Sequence, residues 1–199
     1  MKAVLASKNA HKLEEMKTIL SAQGVEVVLE SDVGVDIDVE ETGTTFEENA
    51  LLKARAVMEA TGLPAIADDS GLCVEALNGA PGVYSARYGG EGLDDVGRYR
   101  LLLENMRGQL NRRAKFVSVV CLAMPNGDVI SARGECPGTL AYAPQGDHGF
   151  GYDPIFFVPE QKKTVAQLTP EEKNAISHRA NSLREFQIKL ESYLNGLNK

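Results

Sequence analysis

Long apolar runs are missing from this chain of 199 residues. None approaches the ~20 consecutive apolar positions that span a bilayer, so no membrane partner is expected. The opening stretch "MKAVLASKNAHK" turns polar too soon to hold the apolar core of a secretion signal, and the cytoplasm is the expected compartment. Cysteine is scarce: Cys73, Cys121 and Cys136 are widely spaced, odd in number and without a CxxC pair. That excludes a disulfide framework and a structural zinc site, and it fits small apolar residues in a reducing compartment. A basic surplus is missing as well, because 28 acidic residues against 21 basic ones leave a net charge of −7. The electrostatic footprint of a nucleic-acid binder is therefore absent. A pocket for a phosphorylated small molecule needs only a few local cations, and an acidic site for a divalent metal suits the balance. Repeats, low-complexity tracts and Pro/Ser-rich linkers are absent too. The length suits one domain over 1–199 with a sizeable core and room for two lobes.

The segments that remain alternate between strand and helix. "KAVLAS" reads as a first strand, and "HKLEEMKTILSAQG" as a helix closed by Gly24. "VEVVLES" is a second strand. A second helix lies in "TTFEENALLKARAVMEATG", where Thr45 and Glu48 have capping-box spacing. "PAIADD" and "LCVEA" read as two short strands, and "LDDVGRYRLLLENMRG" as a third helix. "AKFVSVVCLAM", the turn "PNGD" and "VISARGECPG" form a long hairpin. The expected fold is α/β, with a mixed, elongated β-sheet flanked by helices and two lobes around a central cleft.

Five places carry candidate chemistry. "SKNAHK", Ser7 to Lys12, lies where a strand turns into a helix, so backbone N–H groups and the positive helix end favour phosphate. It lacks the glycines and GK[ST] ending of a Walker loop, and a solvated helix cap is the plain alternative. In "DVEETGTTFEENA", Glu47 and Glu48 are explained by the helix dipole, whereas Glu40 and Glu41 lie outside the helix. One of them, with Asp68 or Asp69, could give a hard divalent cation its carboxylate oxygens. Strand alternation puts Asp69 on the side of Ala65 and Ala67, and Asp68 on the side of Ile66, so the two differ in role.

The glycine-rich loop "GAPGVYSARYGGEG" offers Ser85 and Arg87 as phosphate or subunit contacts, or else simply covers something. In "GDHGFGYDPIFF", glycines flank Phe150, which could stack on a base while Asp153 reads its edge; Phe156 and Phe157 read as core. In "TPEEKNAISHRANS", Thr169, Pro170 and Glu172 start a helix. Were that helix unbroken, Lys173 and His178 would stand about 140° apart and could not share a ligand. Ser177 is a good cap, so a break near Asn174–Ser177 and a new helix from His178 are expected, gathering Lys173, His178 and Arg179 at one mouth.

Taken together, "SKNAHK", "EETGTTFEENALLKA", "AIADDSGL", "GAPGVYSARY", "GFGYDPIFF" and "EEKNAISHR" closely resemble the inosine-triphosphate pyrophosphatase family, the non-canonical purine nucleoside triphosphate pyrophosphatases. They occur in the family's order and spacing over nearly the whole chain; only Ser7 stands where threonine is frequent, and it keeps the hydroxyl. The resemblance implies hydrolysis of ITP, dITP and XTP to the monophosphate and pyrophosphate with Mg²⁺, by a two-lobed homodimer. By the same carry-over Ser7, Lys8, Asn9, Ala10, His11 and Lys12 hold the phosphates. Glu40, rather than Glu41, joins Asp69 at the metal, Asp69 accepts the proton and Ser70 contacts substrate. Phe150, Gly151, Tyr152, Asp153, Lys173, His178 and Arg179 form the base pocket. Two competing readings are a nucleotide-binding module without catalysis, which would not need Glu40 and Asp69, and a pyrophosphatase for modified pyrimidines or methylated nucleotides.

Overall fold

Short runs rich in valine, leucine and alanine build one end of the sheet. In the computed structural model, which describes residues 1–7, 13, 16, 17 and 20–197, β1 covers Lys2–Leu5 and β2 Glu26–Leu29. They pair in parallel from Lys2 opposite Glu26 to Leu5 opposite Leu29. On the other side of β1 lies β3, Ala65–Val74, again parallel, with Val4 opposite Ala65 and Leu5 opposite Ile66. Parallel neighbours need long crossovers, and helices supply them. Residues 13, 16, 17 and 20 are helical in the first, and residues 11, 12, 14, 15, 18 and 19 of the expected first helix lie outside the described residues. Its end matches the expectation: a 3₁₀ turn over Ser21–Gln23 closes on Gly24 in the left-handed conformation.

The second crossover is helix α1, Phe46–Thr61. The Thr45 hydroxyl accepts from the Glu48 N–H, and the Glu48 carboxylate reaches back to the Thr45 N–H, the capping box that the sequence predicts. Phe46, Ala50, Ala54 and Val57 recur at helical spacing and are buried.

After β3 come helix α2, Asp95–Asn105, and strands β4, Arg113–Ala123, and β5, Val129–Leu140. Only the turn Met124 to Asp128 joins β4 to β5, so these adjacent strands form the expected antiparallel hairpin. Strand β6, Phe156–Val158, pairs antiparallel with β5 and with β7, Lys163–Thr164. The seven strands lie in the order β2-β1-β3-β4-β5-β6-β7. Helices α3, Pro170–Ile176, and α4, His178–Leu197, end the described chain. The fold is mixed α/β, as the sequence predicts, and no described helix is long and apolar enough to cross a membrane.

The chain divides into two compact units. The first gathers Met1–Asp69, Ser118–Gly134 and Asn181–Lys199, around a core that includes Leu5, Leu20, Ile66, Leu122 and Phe186. The second gathers Ser70–Val117 and Glu135–Ala180, around Leu72, Leu102, Met106, Ile155 and Phe156.

One expectation is corrected. "PAIADD" and "LCVEA" are not two strands, because β3 runs unbroken from Ala65 to Val74 through Asp68 and Asp69. Adjacent acids followed by Ser-Gly look like a turn in sequence. Here a cation compensates the acids, and the Ser85 hydroxyl accepts the Leu72 N–H at 2.9 Å, so the extended backbone continues.

Candidate active site

In the first unit the site is built on α1 and β3. Asp69 is buried at 9% exposure and Asp68 at 4%. Such carboxylates need compensation in an apolar surround, and Lys53, on α1, supplies it. Its Nζ donates to Glu41 Oε1 at 2.7 Å and lies 3.6 Å from Asp69 Oδ1. Burial alone would lower the pKa of this ammonium, but Asp69, Glu41 and Asp68 outweigh it and hold the value above the ordinary one. Lys53 is therefore charged at any physiological pH. It was not singled out in the sequence, although a signal was there. A lysine at position 53 falls on the apolar stripe of α1, beside Ala50, Ala54 and Val57, where a cation needs buried anions.

The structure separates the two neighbouring glutamates. Glu41 is partly buried and joins Lys53; Glu40 is exposed. Ser7 follows β1, partly buried, and its N–H donates to the Leu5 carbonyl at 2.9 Å. Lys8, Asn9, Ala10, His11 and Lys12 lie outside the described residues.

In the second unit Asp153 organises a different cluster. It is buried at 5%, and its Oδ2 accepts from the Phe150 N–H at 3.1 Å and from Lys173 Nζ at 2.7 Å. The same ammonium stands 4.7 Å from the centre of the Phe150 ring, close enough for a cation–π contact. Phe150 itself is 65% exposed, so a large flat apolar face is presented to solvent beside a fixed cation. Gly149 is required here: its φ is +79°, and a Cβ would overlap the Asp153 carboxylate.

The loop is tied down at two further points. The Gly151 N–H donates to Asp95 Oδ2 at 2.8 Å, and the Tyr152 hydroxyl donates to the Ser85 carbonyl at 2.8 Å. Tyr152 is buried, which pushes its hydroxyl pKa well up and keeps it a donor. Ser85 is a brace as well: its hydroxyl donates to the Gly82 carbonyl at 2.6 Å while accepting from the Leu72 N–H. Arg87 lies over the exposed Tyr84 ring at 5.0 Å. Asp95 had no signal in sequence, because its partner is 56 positions away.

The helix break is where the capping residues place it. α3 ends at Ile176, the Ser177 hydroxyl accepts from the Ala180 N–H at 3.1 Å, and α4 begins at His178. The His178 ring stacks on Phe116 at 4.9 Å, with 18° between planes. Lys173 and His178 line one narrow cavity of about 10 Å³, with Phe116, Cys136 and Asp153. Arg179 follows at the start of α4, and Ser70 follows Asp69 on β3 at intermediate exposure.

This arrangement can be set beside known proteins. Residues 3–189 match the family model described as the Ham1 family. A dITP/XTP pyrophosphatase of Haemophilus influenzae is 53% identical over 193 residues, covering 95% of this chain and 98% of that protein. One from an Exiguobacterium species is 45% identical over 196 residues, covering 98% and 100%. The solved Ham1 protein of Staphylococcus aureus superimposes with a TM-score of 0.90 at 44% identity, covering 98% of this chain and 99% of that one. The chain belongs to the Ham1 family.

Proposed function

We propose that this chain is a nucleoside triphosphate pyrophosphatase that hydrolyses the non-canonical purine triphosphates ITP, dITP and XTP to the monophosphate and pyrophosphate, with Mg²⁺. The observation that carries the reading is the pairing of buried Asp69 with the Lys53 ammonium, beside Glu41. A buried carboxylate kept next to a fixed cation is the arrangement a reaction at phosphate calls for. Support comes from relatives bearing the name dITP/XTP pyrophosphatase at 45% and 53% identity over nearly the whole chain.

The residues present fit a magnesium ion. Among the described residues no three His, Cys, Asp or Glu side chains form a ready-made cage. Glu41 and Asp69, both near Lys53 Nζ, offer hard oxygen donors, and Mg²⁺ usually takes only one or two carboxylates plus phosphate oxygens and water. In this reading Glu41 takes the place expected for Glu40, since Glu41 alone of the two reaches Lys53. Bound there, the ion would neutralise phosphate charge and make the phosphorus easier to attack.

The chain's own groups do the rest. A water oxygen forms a bond to the α-phosphorus, the bond from that phosphorus to the bridging oxygen breaks, and pyrophosphate leaves with the electron pair. Asp69 takes the proton of the water, and Lys53 keeps a positive charge beside it. Ser7, Lys8, Asn9, Ala10, His11 and Lys12 hold the phosphates, and Ser70 contacts the substrate. Phe150 stacks on the base. Lys173, held by Asp153, donates to the 6-keto oxygen, with His178 and Arg179 completing the pocket. Adenine presents a donor at that position, and a site built for the other partner rejects such a mismatch by on the order of 10⁴-fold. The active form is a cytoplasmic homodimer, which sedimentation of the purified protein checks.

Parallel incubation with Mg²⁺ and ITP, dITP, XTP, ATP and GTP tests the reading. Monophosphate and pyrophosphate from the first three, with little from the last two, is the expected result. Tight ITP binding without turnover would make the chain a binding module instead.

A further inference from the structure

Asn49 is a fully buried polar side chain in the middle of the candidate site's scaffold, and none of the catalytic roles above uses it. It stands on α1 one turn before Lys53, so both residues lie on the same side of the helix. Its Oδ1 accepts the Gly43 N–H at 2.8 Å, while its Nδ2 is buried with no hydrogen-bond partner among the described residues. A buried donor left unpaired is costly, so the residue is retained here for another reason. The reason lies two residues before Gly43, where Glu41 meets Lys53.

We propose that Asn49 is a positioning residue for the Glu41 carboxylate: by clamping the Gly43 amide it fixes the loop that carries Glu41 against Lys53 and Asp69. The clamp leaves no slack. A Cβ on Gly43 would come within 2.6 Å of Asn49 Oδ1 and 2.7 Å of Glu48 Cβ, so the loop backbone rests directly on the helix. The two amides after Gly43 are held as well, since the Thr44 and Thr45 N–H groups both donate to Glu48 Oε2. Asparagine suits the position because its acceptor is neutral. An aspartate would offer the same oxygen but add a buried negative charge one turn from Lys53, the ammonium that already answers Glu41, Asp68 and Asp69.

The inference rests on the pyrophosphatase reading, and the test separates the two. ITP turnover and apparent Mg²⁺ requirement are measured for the wild type, Asn49→Ala, Gly43→Ala and the double variant, well below each melting temperature. Exchange of the Gly43 amide is followed by NMR. The expected result is a fall in kcat of about 10- to 100-fold in each single variant, with KM for ITP and the ITP-to-ATP ratio within about twofold. The Mg²⁺ requirement rises. The double variant is no worse than the worse single one, because both remove the same contact. Gly43 exchange is slow in the wild type and fast in Asn49→Ala. A plain helix-capping role would lower the melting temperature and leave kcat intact, and that result would overturn the proposal. If Asn49→Ala does not fold, Gly43→Ala decides: wild-type kcat there rejects the clamp. A wild type without ITP turnover defeats the functional reading instead. Amide exchange then judges the clamp alone, and fast exchange in the wild type rejects it.

Discussion

Lys53 Nζ lies 3.6 Å from Asp69 Oδ1, a helix-borne cation facing a carboxylate inside a strand. The contact links α1 to β3 in the first unit and explains how two adjacent acids stay buried in a continuous strand. It also sets a charged ammonium beside the carboxylate to which the proposed reaction gives the proton.

Replacing Lys53 with methionine should lower kcat for ITP by about 10²- to 10³-fold, the usual cost of removing one preorganised charge from a reacting centre. The pH dependence of stability follows from its raised pKa. The stabilisation is fully present below the ordinary value of 10.5 and is lost as pH rises through the higher folded value. Thermal unfolding of wild type and Lys53→Met should thus differ by a constant amount from neutral pH up to about 10. The gap should narrow only beyond that.

Asp69→Asn keeps the shape and removes the proposed base. Turnover should fall by roughly 10²- to 10⁴-fold, the contribution of a positioned proton acceptor. ITP binding measured by calorimetry should persist. Retained turnover would take the proton from Asp69 and give it to another group.

Lys173→Ala removes the cation shared by Asp153 and the Phe150 face. The ratio of kcat/KM for ITP over ATP should drop by at least about tenfold. An unchanged ratio would place base discrimination elsewhere.

How far the sequence spoke depended on the range of the interaction. The Ser177 break and the Thr45–Glu48 cap were legible because capping is settled within four residues of chain. The continuity of β3 was not, since what keeps Asp68 and Asp69 extended is a lysine on another element. The Glu41–Lys53 contact was not legible either, because adjacent carboxylates look alike until one of them meets a lysine on another element. Asp95 and Gly151 lie beyond any local pattern. Gly149, by contrast, was visible as a glycine beside Phe150, and its reason is the Asp153 carboxylate where its side chain would be.

Cys136 supplies a check on the second unit. Burial, with the Glu160 charge nearby, pushes its thiol up from 9.0 to about 11. The folded thiol therefore stays protonated at pH 8.5, and its contribution to stability declines as pH rises between 9.0 and about 11. Alkylation followed by peptide mapping should find Cys136 unmodified at pH 8.5 in the folded protein and modified after unfolding in urea.

The most direct test of the account is hydrolysis of ITP in ¹⁸O-labelled water, with the products weighed by mass spectrometry. Attack on the α-phosphorus predicts one labelled oxygen in the inosine monophosphate and none in the pyrophosphate. Label in the pyrophosphate, or release of single phosphates, would contradict the assignment of Asp69 to a water aimed at the α-phosphorus.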